Sequence, residues 1–324
     1  MSASAPLAYP PLPRAPRRIV IGANAHAELA SALQAARPDL EVRGAKYTDV
    51  TARDLEWGDA YIGFRRPPLP TMGKVRWVHC TGAGVDSWLW PEELPRDILL
   101  TRTSESFGPM IAEWALARAL AFSQQLIDLA QAQRLHRWAP RDIATIRGTK
   151  AVVVGTGDVG THVAKLFNAL GCRVYGVSRS GDGDPEQFYA MAQVSALRDM
   201  AAIADWLIVT LPLTSRTRRL IDRGVLAACR GAVLINAGRG AVIEEGAIPE
   251  ALDQGWLSGA ALDVFEVEPL PIESPLWTDP RVIVSPHISG LTTIDGAKDG
   301  FLECLGDLEA GRVPKWVVDR EKEY

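Results

Sequence analysis

Residues 150–171 read KAVVVGTGDVGTHVAKLFNALG, a short apolar run, three glycines and an amphipathic stretch. A run of β-branched residues followed at once by a 3.6-residue period is a strand feeding a helix. Gly155, Gly157 and Gly160 occupy the connection with GxGxxG spacing. The first glycine permits a tight turn, the second lets a pyrophosphate approach the backbone, and the third lets the helix pack closely on the strand. The unpaired N–H groups at the helix start then supply positive potential for the phosphates. CRVYGVS follows as a second strand, completing a βαβ unit. A dinucleotide-binding domain is therefore expected here, with Gly155, Thr156, Gly157, Asp158, Val159 and Gly160 around the phosphates. Asp158 is most simply a helix-terminal acid favoured by the dipole, and it need not touch the ligand.

The end of that second strand reads VYGVSRSGD. An Asp or Glu about 20 residues past the glycines ordinarily accepts hydrogen bonds from the ribose hydroxyls of NAD. The register here delivers Ser178, Arg179 and Ser180 instead. No charge at position 178 repels a 2′-phosphate, the two hydroxyls can donate to it, and the Arg179 fork suits a dianion. NADP(H) is the expected cofactor, with NAD(H) the second choice. The competing account has Arg179 in solvent and Asp182 or Asp184 swinging back onto the ribose.

A chain of 324 residues exceeds one ordinary core. Before Lys150, RRIVIGA, LEVRGA, DAYIGF, VRWVHC and DILLTRT read as short strands, with a helix over residues 25–36. After it, AVVVG, CRVYGVS, DWLIVTLP, AVLINA, SGAALDVF and RVIVSP are nearly continuous apolar runs, as parallel strands covered on both faces require. Residues 108–138 read as one long helix ending before Pro140, a connector whose apolar faces suit a subunit interface. After His287, a helical stretch and KWVVD form a tail expected to return to the first domain.

The net charge of −4 and the lack of a Lys/Arg run argue against nucleic acid. No apolar run approaches the ~18 residues that cross a bilayer. The leader MSASAPLAYPPLPRAPRR lacks the apolar core of a secretory signal, and its prolines would break the helix of a transit peptide. Cys80, Cys172, Cys229 and Cys304 are far apart with no CxxC, so buried reduced thiols, no metal site and a cytoplasmic location are expected.

Three stretches of the second half place an ionisable residue just past an apolar strand. They are LINAGRGAVI with Arg239, GAALDVFEVEPLP with Asp263 and Glu268, and VIVSPHISG with His287. Ligands of open parallel sheets bind outside the carboxyl ends of the strands, where these residues fall. A guanidinium can hold a carboxylate and polarise a carbonyl, and an imidazolium can protonate the carbonyl oxygen as hydride reaches carbon. A neighbouring carboxylate can keep that imidazole charged. Singly, each residue has an ordinary structural explanation, and His26, His79, His136 and His162 are assigned one.

Together these motifs, GTGDVG, LPLTSRT, NAGRG, GAALDVFEVEP and SPHISG, resemble the D-isomer-specific 2-hydroxyacid dehydrogenases in order and spacing. TGAGVD in the first half is similar to that family's substrate loop. The resemblance runs from about Val75 to Gly290. It implies a two-domain α/β fold, with a Rossmann-type doubly wound parallel sheet (106–290) inserted into a flavodoxin-like substrate domain (1–105 and 291–324). It also implies that Arg239 binds and polarises substrate, that Glu268 pairs with His287 as the acid/base, and that Ala83 and Gly84 offer N–H groups to a substrate carboxylate. By the same match Asp263 faces the nicotinamide amide, Leu211 and Pro212 line the adenosine side, and Ala237 and Gly238 belong to the cofactor turn.

The expected activity is reduction of a small 2-keto acid, glyoxylate- or hydroxypyruvate-like, by a homodimer. The alternative is a nucleotide-sensing binding protein of the corepressor kind on the same fold. A formate dehydrogenase would carry Gln in place of Glu268, and an extended phosphoglycerate dehydrogenase would carry a regulatory domain after the catalytic one. GFRRPPLP, with Arg65 and Arg66, is the one first-half loop suggestive of side-chain specificity.

Overall fold

Strands short enough to be spanned by three to six residues, nearly all apolar, are stable only when both sheet faces are covered. The computed structural model meets that condition twice. It describes residues 15–90, 92–103 and 107–324, and the Pro-rich leader lies outside them up to residue 14. The chain divides into two compact units, residues 1–106 with 292–324, and residues 107–291.

The first unit runs β1 (Arg18–Gly22), α1 (His26–Ala36), β2 (Glu41–Ala45), α2 (Ala52–Trp57), β3 (Ala60–Ile62), β4 (Trp77–Cys80), α3 (Asp86–Leu89) and β5 (Leu99–Arg102). Its five strands lie in the order β2-β1-β3-β4-β5, all parallel. That is the flavodoxin-like order. Ile19, Ile21, Ile62 and Trp77 are fully buried on these strands.

The second unit opens with α4 (Gly108–Ser123) and α5 (Leu126–Arg134). The expectation of one unbroken helix over 108–138 is corrected here. Gln125 adopts a left-handed φ of 49°, and the returning segment 142–144 takes the helix end. The Ala144 N–H donates to Ser123 O at 2.8 Å, while the Gln124 and Gln125 amides donate to Ala144 O and Asp142 O at 2.7 Å each. Apolar periodicity continues through such a break, so the sequence pattern hides it.

Then follow β6 (Lys150–Val154), α6 (Asp158–Ala169), β7 (Arg173–Ser178), β8 (Ala190–Gln193), α7 (Leu197–Ala201), β9 (Trp206–Val209), α8 (Arg223–Ala228), β10 (Ala232–Asn236), α9 (Ile248–Asp253), β11 (Leu257–Leu262) and β12 (Val282–Val284). The seven strands are ordered β12-β11-β10-β9-β6-β7-β8, so strand order reverses between β6 and β9. This is the doubly wound Rossmann arrangement, whose ligands sit at that reversal. Edge strand β8, Ala-Met-Ala-Gln, went unread because an exposed edge needs no apolar run.

The chain then returns to the first unit. Helix α10 (Ile294–Glu309) brings Phe301 onto Trp77, the rings stacked nearly parallel with centroids 4.6 Å apart. Beyond it Val317 bridges Thr101 antiparallel, covering the open edge of β5. All four cysteines are buried, and no disulfide joins them among the described residues. Among the described residues no helix is long and apolar enough to cross a membrane.

His79 on β4 is fully buried between Thr101 Oγ1, 2.8 Å from Nδ1, and Thr103 Oγ1, 2.9 Å from Nε2. Burial pushes its pKa down to about 3. An unfolded histidine titrates near ~6.5, so between that pH and 3 the unfolded chain binds a proton that the fold refuses. Stability is thus fully present above pH ~6.5 and falls by about 1.4 kcal/mol per pH unit below it. Between pH 6.5 and 5, wild type should lose about 2 kcal/mol more than His79→Gln in urea unfolding. Equal losses would show that His79 is charged inside the fold.

Candidate active site

The glycine turn after β6 separates what the protein's own packing needs from what it leaves open. Gly155 has a φ of 107°, and a Cβ on Gly160 would fall 1.9 Å from Gly155 O, so both glycines are required by the fold itself. A Cβ on Gly157 would meet nothing within 4 Å. That position is the N-cap of α6, and no side chain caps the helix there. Open space before uncapped N–H groups fits a pyrophosphate. Asp158 and Val159 start the helix, and the Asp158 carboxylate turns back to His162 Nδ1 at 3.3 Å. Thr156 Oγ1 donates to Asp182 O at 2.8 Å, tying this turn to the loop after β7.

In that second loop Ser178 does not offer its hydroxyl outward, which corrects the expectation for that residue. Its Oγ donates to Asp182 O at 2.9 Å and accepts from the Gly181 N–H at 3.1 Å. The hydroxyl has one proton, and closing the loop uses it. Arg179 and Ser180 are exposed. Asp184 Oδ1 accepts from the Glu186 N–H at 2.9 Å, so that carboxylate is engaged in its own turn. Leu211 and Pro212 follow β9 half-buried. Gly238 lies so close to them that its Cβ would be 2.6 Å from Leu211 O.

The turn after β10 is organised by Asn236, which sequence reasoning passed over. This buried amide accepts from the Gly238 N–H at 3.1 Å and donates to Arg239 O at 3.2 Å, fixing Ala237–Arg239. Arg239 is half-buried, with Nη1 donating to Gly238 O at 2.8 Å. Gly240 approaches the backbone of Phe265 so closely that a Cβ would sit 1.9 Å from its carbonyl carbon. The loops after β10 and β11 are thereby pressed together.

Glu268 accepts from the Phe265 N–H at 3.2 Å through Oε1 and pairs with His287 through Oε2 at 2.8 Å. Partial burial would raise the Glu268 pKa. The His287 hydrogen bond and charge, the Phe265 N–H and the Arg239 charge together outweigh it, so the pKa lies below its ordinary value. An ionised carboxylate only accepts hydrogen bonds, so Nδ1 of His287 is the donor. The structure brings Arg239, Glu268 and His287 into one electrostatic group, built from loops after three successive strands.

His287 itself has a φ of 56°, a strained value for a residue with a side chain. Its segment is held by Asp263, which is wholly buried. Asp263 Oδ1 accepts from Ser285 Oγ at 2.5 Å and from the Ile288 N–H at 3.0 Å, and Oδ2 from the Ser289 N–H at 2.7 Å. The His287 N–H donates to Asp263 O at 2.8 Å. Asp263, expected to face a nicotinamide amide, is occupied in holding residues 285–289. Ser285 and Ser289 join the site as supports, signalled in the sequence only by flanking the histidine.

In the first unit the TGAG segment follows β4. Gly82 is needed because Phe64 lies against it, a Cβ there falling 2.6 Å from the ring. Ala83 and Gly84 are half-buried. Ala83 O accepts from Arg102 Nη1 at 3.1 Å. The suggestive loop places Arg66 Nη1 on Glu92 O at 3.2 Å and Arg65 near the Tyr47 ring.

Residues 116–289 match the family model described as the D-isomer specific 2-hydroxyacid dehydrogenase NAD binding domain. The chain belongs to this family. It is 34% identical over 267 residues to glyoxylate/hydroxypyruvate reductase A of Serratia proteamaculans, spanning 78% of this chain and 84% of that one. Among solved structures it resembles a D-isomer specific 2-hydroxyacid dehydrogenase of Xanthobacter autotrophicus Py2 in complex with NADPH and MES. The TM-score is 0.85 and the identity 32%, over 96% of this chain and 100% of that one. An NADPH-dependent glyoxylate/hydroxypyruvate reductase of Sinorhizobium meliloti, in complex with NADP and sulfate, gives 0.84 and 28%, over 95% and 99%. As a member of the family, the chain carries its Rossmann sheet on the second unit and acts within the chemistry of small 2-hydroxy and 2-keto acids.

Proposed function

We propose that this dehydrogenase reduces a small 2-keto acid of the glyoxylate or hydroxypyruvate kind to the D-2-hydroxy acid, using NADPH. The observation that carries the reading is the Glu268–His287 pair at 2.8 Å beside Arg239. Arg239 binds the substrate carboxylate and polarises the carbonyl with its fork. Bound NADPH supplies the hydride. His287 gives its proton to the carbonyl oxygen from Nε2, the nitrogen that Glu268 does not hold, and Glu268 stabilises the charged ring and fixes its tautomer. The Ala83 and Gly84 N–H groups receive the substrate carboxylate. The names of the Serratia and Sinorhizobium relatives support the substrate class.

The cofactor preference follows from the loop after β7. Its strand ends on Ser178 rather than a carboxylate, and the exposed Arg179 and Ser180 receive the 2′-phosphate. The reading places Gly155–Gly160 on the pyrophosphate, Leu211 and Pro212 on the adenosine side, and Ala237 and Gly238 at the cofactor turn. The protein acts as a homodimer, supported by apolar side chains exposed at Leu126, Ile127, Leu129, Leu135, Trp138 and Ile143, Trp138 being 98% exposed. Solvated surfaces rarely concentrate so much large apolar area.

With glyoxylate or hydroxypyruvate, kcat/KM should favour NADPH over NADH by about 10-fold or more, and Ser178→Asp with Arg179→Ala should reverse the order. A wild type that prefers NADH would contradict this reading of the loop. Glu268→Gln keeps the shape and removes the charge that favours a protonated imidazole, so its pH profile for keto-acid reduction should move to lower pH. An unmoved profile would separate Glu268 from the proton transfer. Light scattering at micromolar concentration should report twice the 35.2 kDa chain mass, and a lone monomer would end the dimer proposal.

A further inference from the structure

Arg102 closes β5 directly beside Cys80, the last residue of β4. Opposed residues of neighbouring parallel strands project to the same face, so both side chains rise toward the loop that follows β4. Each takes a carbonyl from it. Arg102 Nη1 donates to Ala83 O at 3.1 Å, and Cys80 Sγ to Gly84 O at 3.4 Å. A trans peptide is planar and points its C=O and its N–H in opposite directions. Drawing Ala83 O toward Arg102 therefore turns the Gly84 N–H away from the sheet. Among the described residues neither the Ala83 nor the Gly84 N–H has a hydrogen-bond acceptor. Unclaimed N–H groups in succession can make an anion-binding concavity.

The charge on Arg102 needs its own explanation. Burial lowers its pKa, and only Cys80 and Tyr324 act on it electrostatically among the described groups, with no carboxylate. Ala83 O is its one side-chain hydrogen-bond partner among the described residues. A half-buried guanidinium without a counter-ion is costly unless a ligand supplies the negative charge. A cationic donor on a carbonyl also polarises the amide, strengthening the N–H at its far end as a donor.

We propose that Arg102 is a positioning residue for the substrate's carboxylate, acting through the Ala83–Gly84 peptide and lending its charge from behind the loop. This rests on the reading of residues 81–84 as the carboxylate loop. Arg102 needs no contact with the substrate to act in this way.

The test compares wild type, Arg102→Gln and Arg102→Lys in glyoxylate kinetics, in NADPH affinity by fluorescence, and in direct binding of oxalate, a carboxylate probe that cannot be reduced. Arg102→Gln should raise the glyoxylate KM and weaken oxalate by about 10-fold or more, out of proportion to any fall in kcat. NADPH affinity should hold, and Arg102→Lys should recover part of the loss because it keeps the charge. Loss of oxalate affinity in step with NADPH affinity would mark general damage and overturn the proposal, as would unchanged oxalate binding. If Arg102→Gln does not fold, Arg102→Met, of similar length and without charge, takes its place, and unchanged oxalate binding there would overturn the proposal in the same way. A wild type that binds oxalate yet reduces no 2-keto acid would defeat the functional reading, and the oxalate comparison would still judge Arg102.

Discussion

A buried carboxylate holds the segment on which the site depends. Asp263 has no exposure to water, and its two oxygens accept one hydroxyl and two backbone N–H groups from residues 285–289. Such a charge is tolerable inside a protein only when its lone pairs are taken up by donors. In return it makes the left-handed backbone of His287 affordable, since strain of this kind persists only where the surroundings over-determine it. The imidazole is presented by a rigid turn. Asn236 plays the matching part after β10, where one buried amide satisfies both sides of the Gly238–Arg239 turn.

From those two anchors the charges fall into place. Glu268 is drawn to His287 by a hydrogen bond and to Arg239 by field, against the cost of its partial burial. The approach of Gly240 to Phe265 is what brings the guanidinium loop and the carboxylate loop within range. A side chain at position 240 would drive them apart. The cofactor region follows the same economy, for Gly155 and Gly160 serve the fold while Gly157 leaves space that the chain itself does not use.

The first unit uses a different device for a similar end. Cys80 and Arg102 act on consecutive carbonyls from adjacent strand ends, so loop orientation there is set by sheet register rather than by a buried carboxylate. His79, one residue earlier on the same strand, faces the opposite side and is locked neutral between two threonines. Both faces of β4 are buried, and alternation along it sends Trp77 and His79 to one core face and Val78 and Cys80 to the other, where Cys80 also reaches the loop.

Local pattern alone determined the two α/β series, the strand–glycine–helix unit and the absence of a carboxylate at position 178, because apolar runs and glycine spacing are short-range properties of the chain. It also placed Arg239, Glu268 and His287 each just past a strand, where an open parallel sheet puts its ligand residues. Tertiary structure decided the rest. The break at Gln125 depends on a segment some twenty residues away returning to claim the helix end. Edge strand β8 exists because β7 offers it hydrogen bonds, not because Ala-Met-Ala-Gln has an apolar signature. Ser178 turns inward because Asp182 O and the Gly181 N–H reach it first. Ser285 and Ser289 reach Asp263 more than twenty residues back in the chain, a pairing whose distance only folding sets, and Asn236 closes its own local turn only where that turn takes shape at the end of β10.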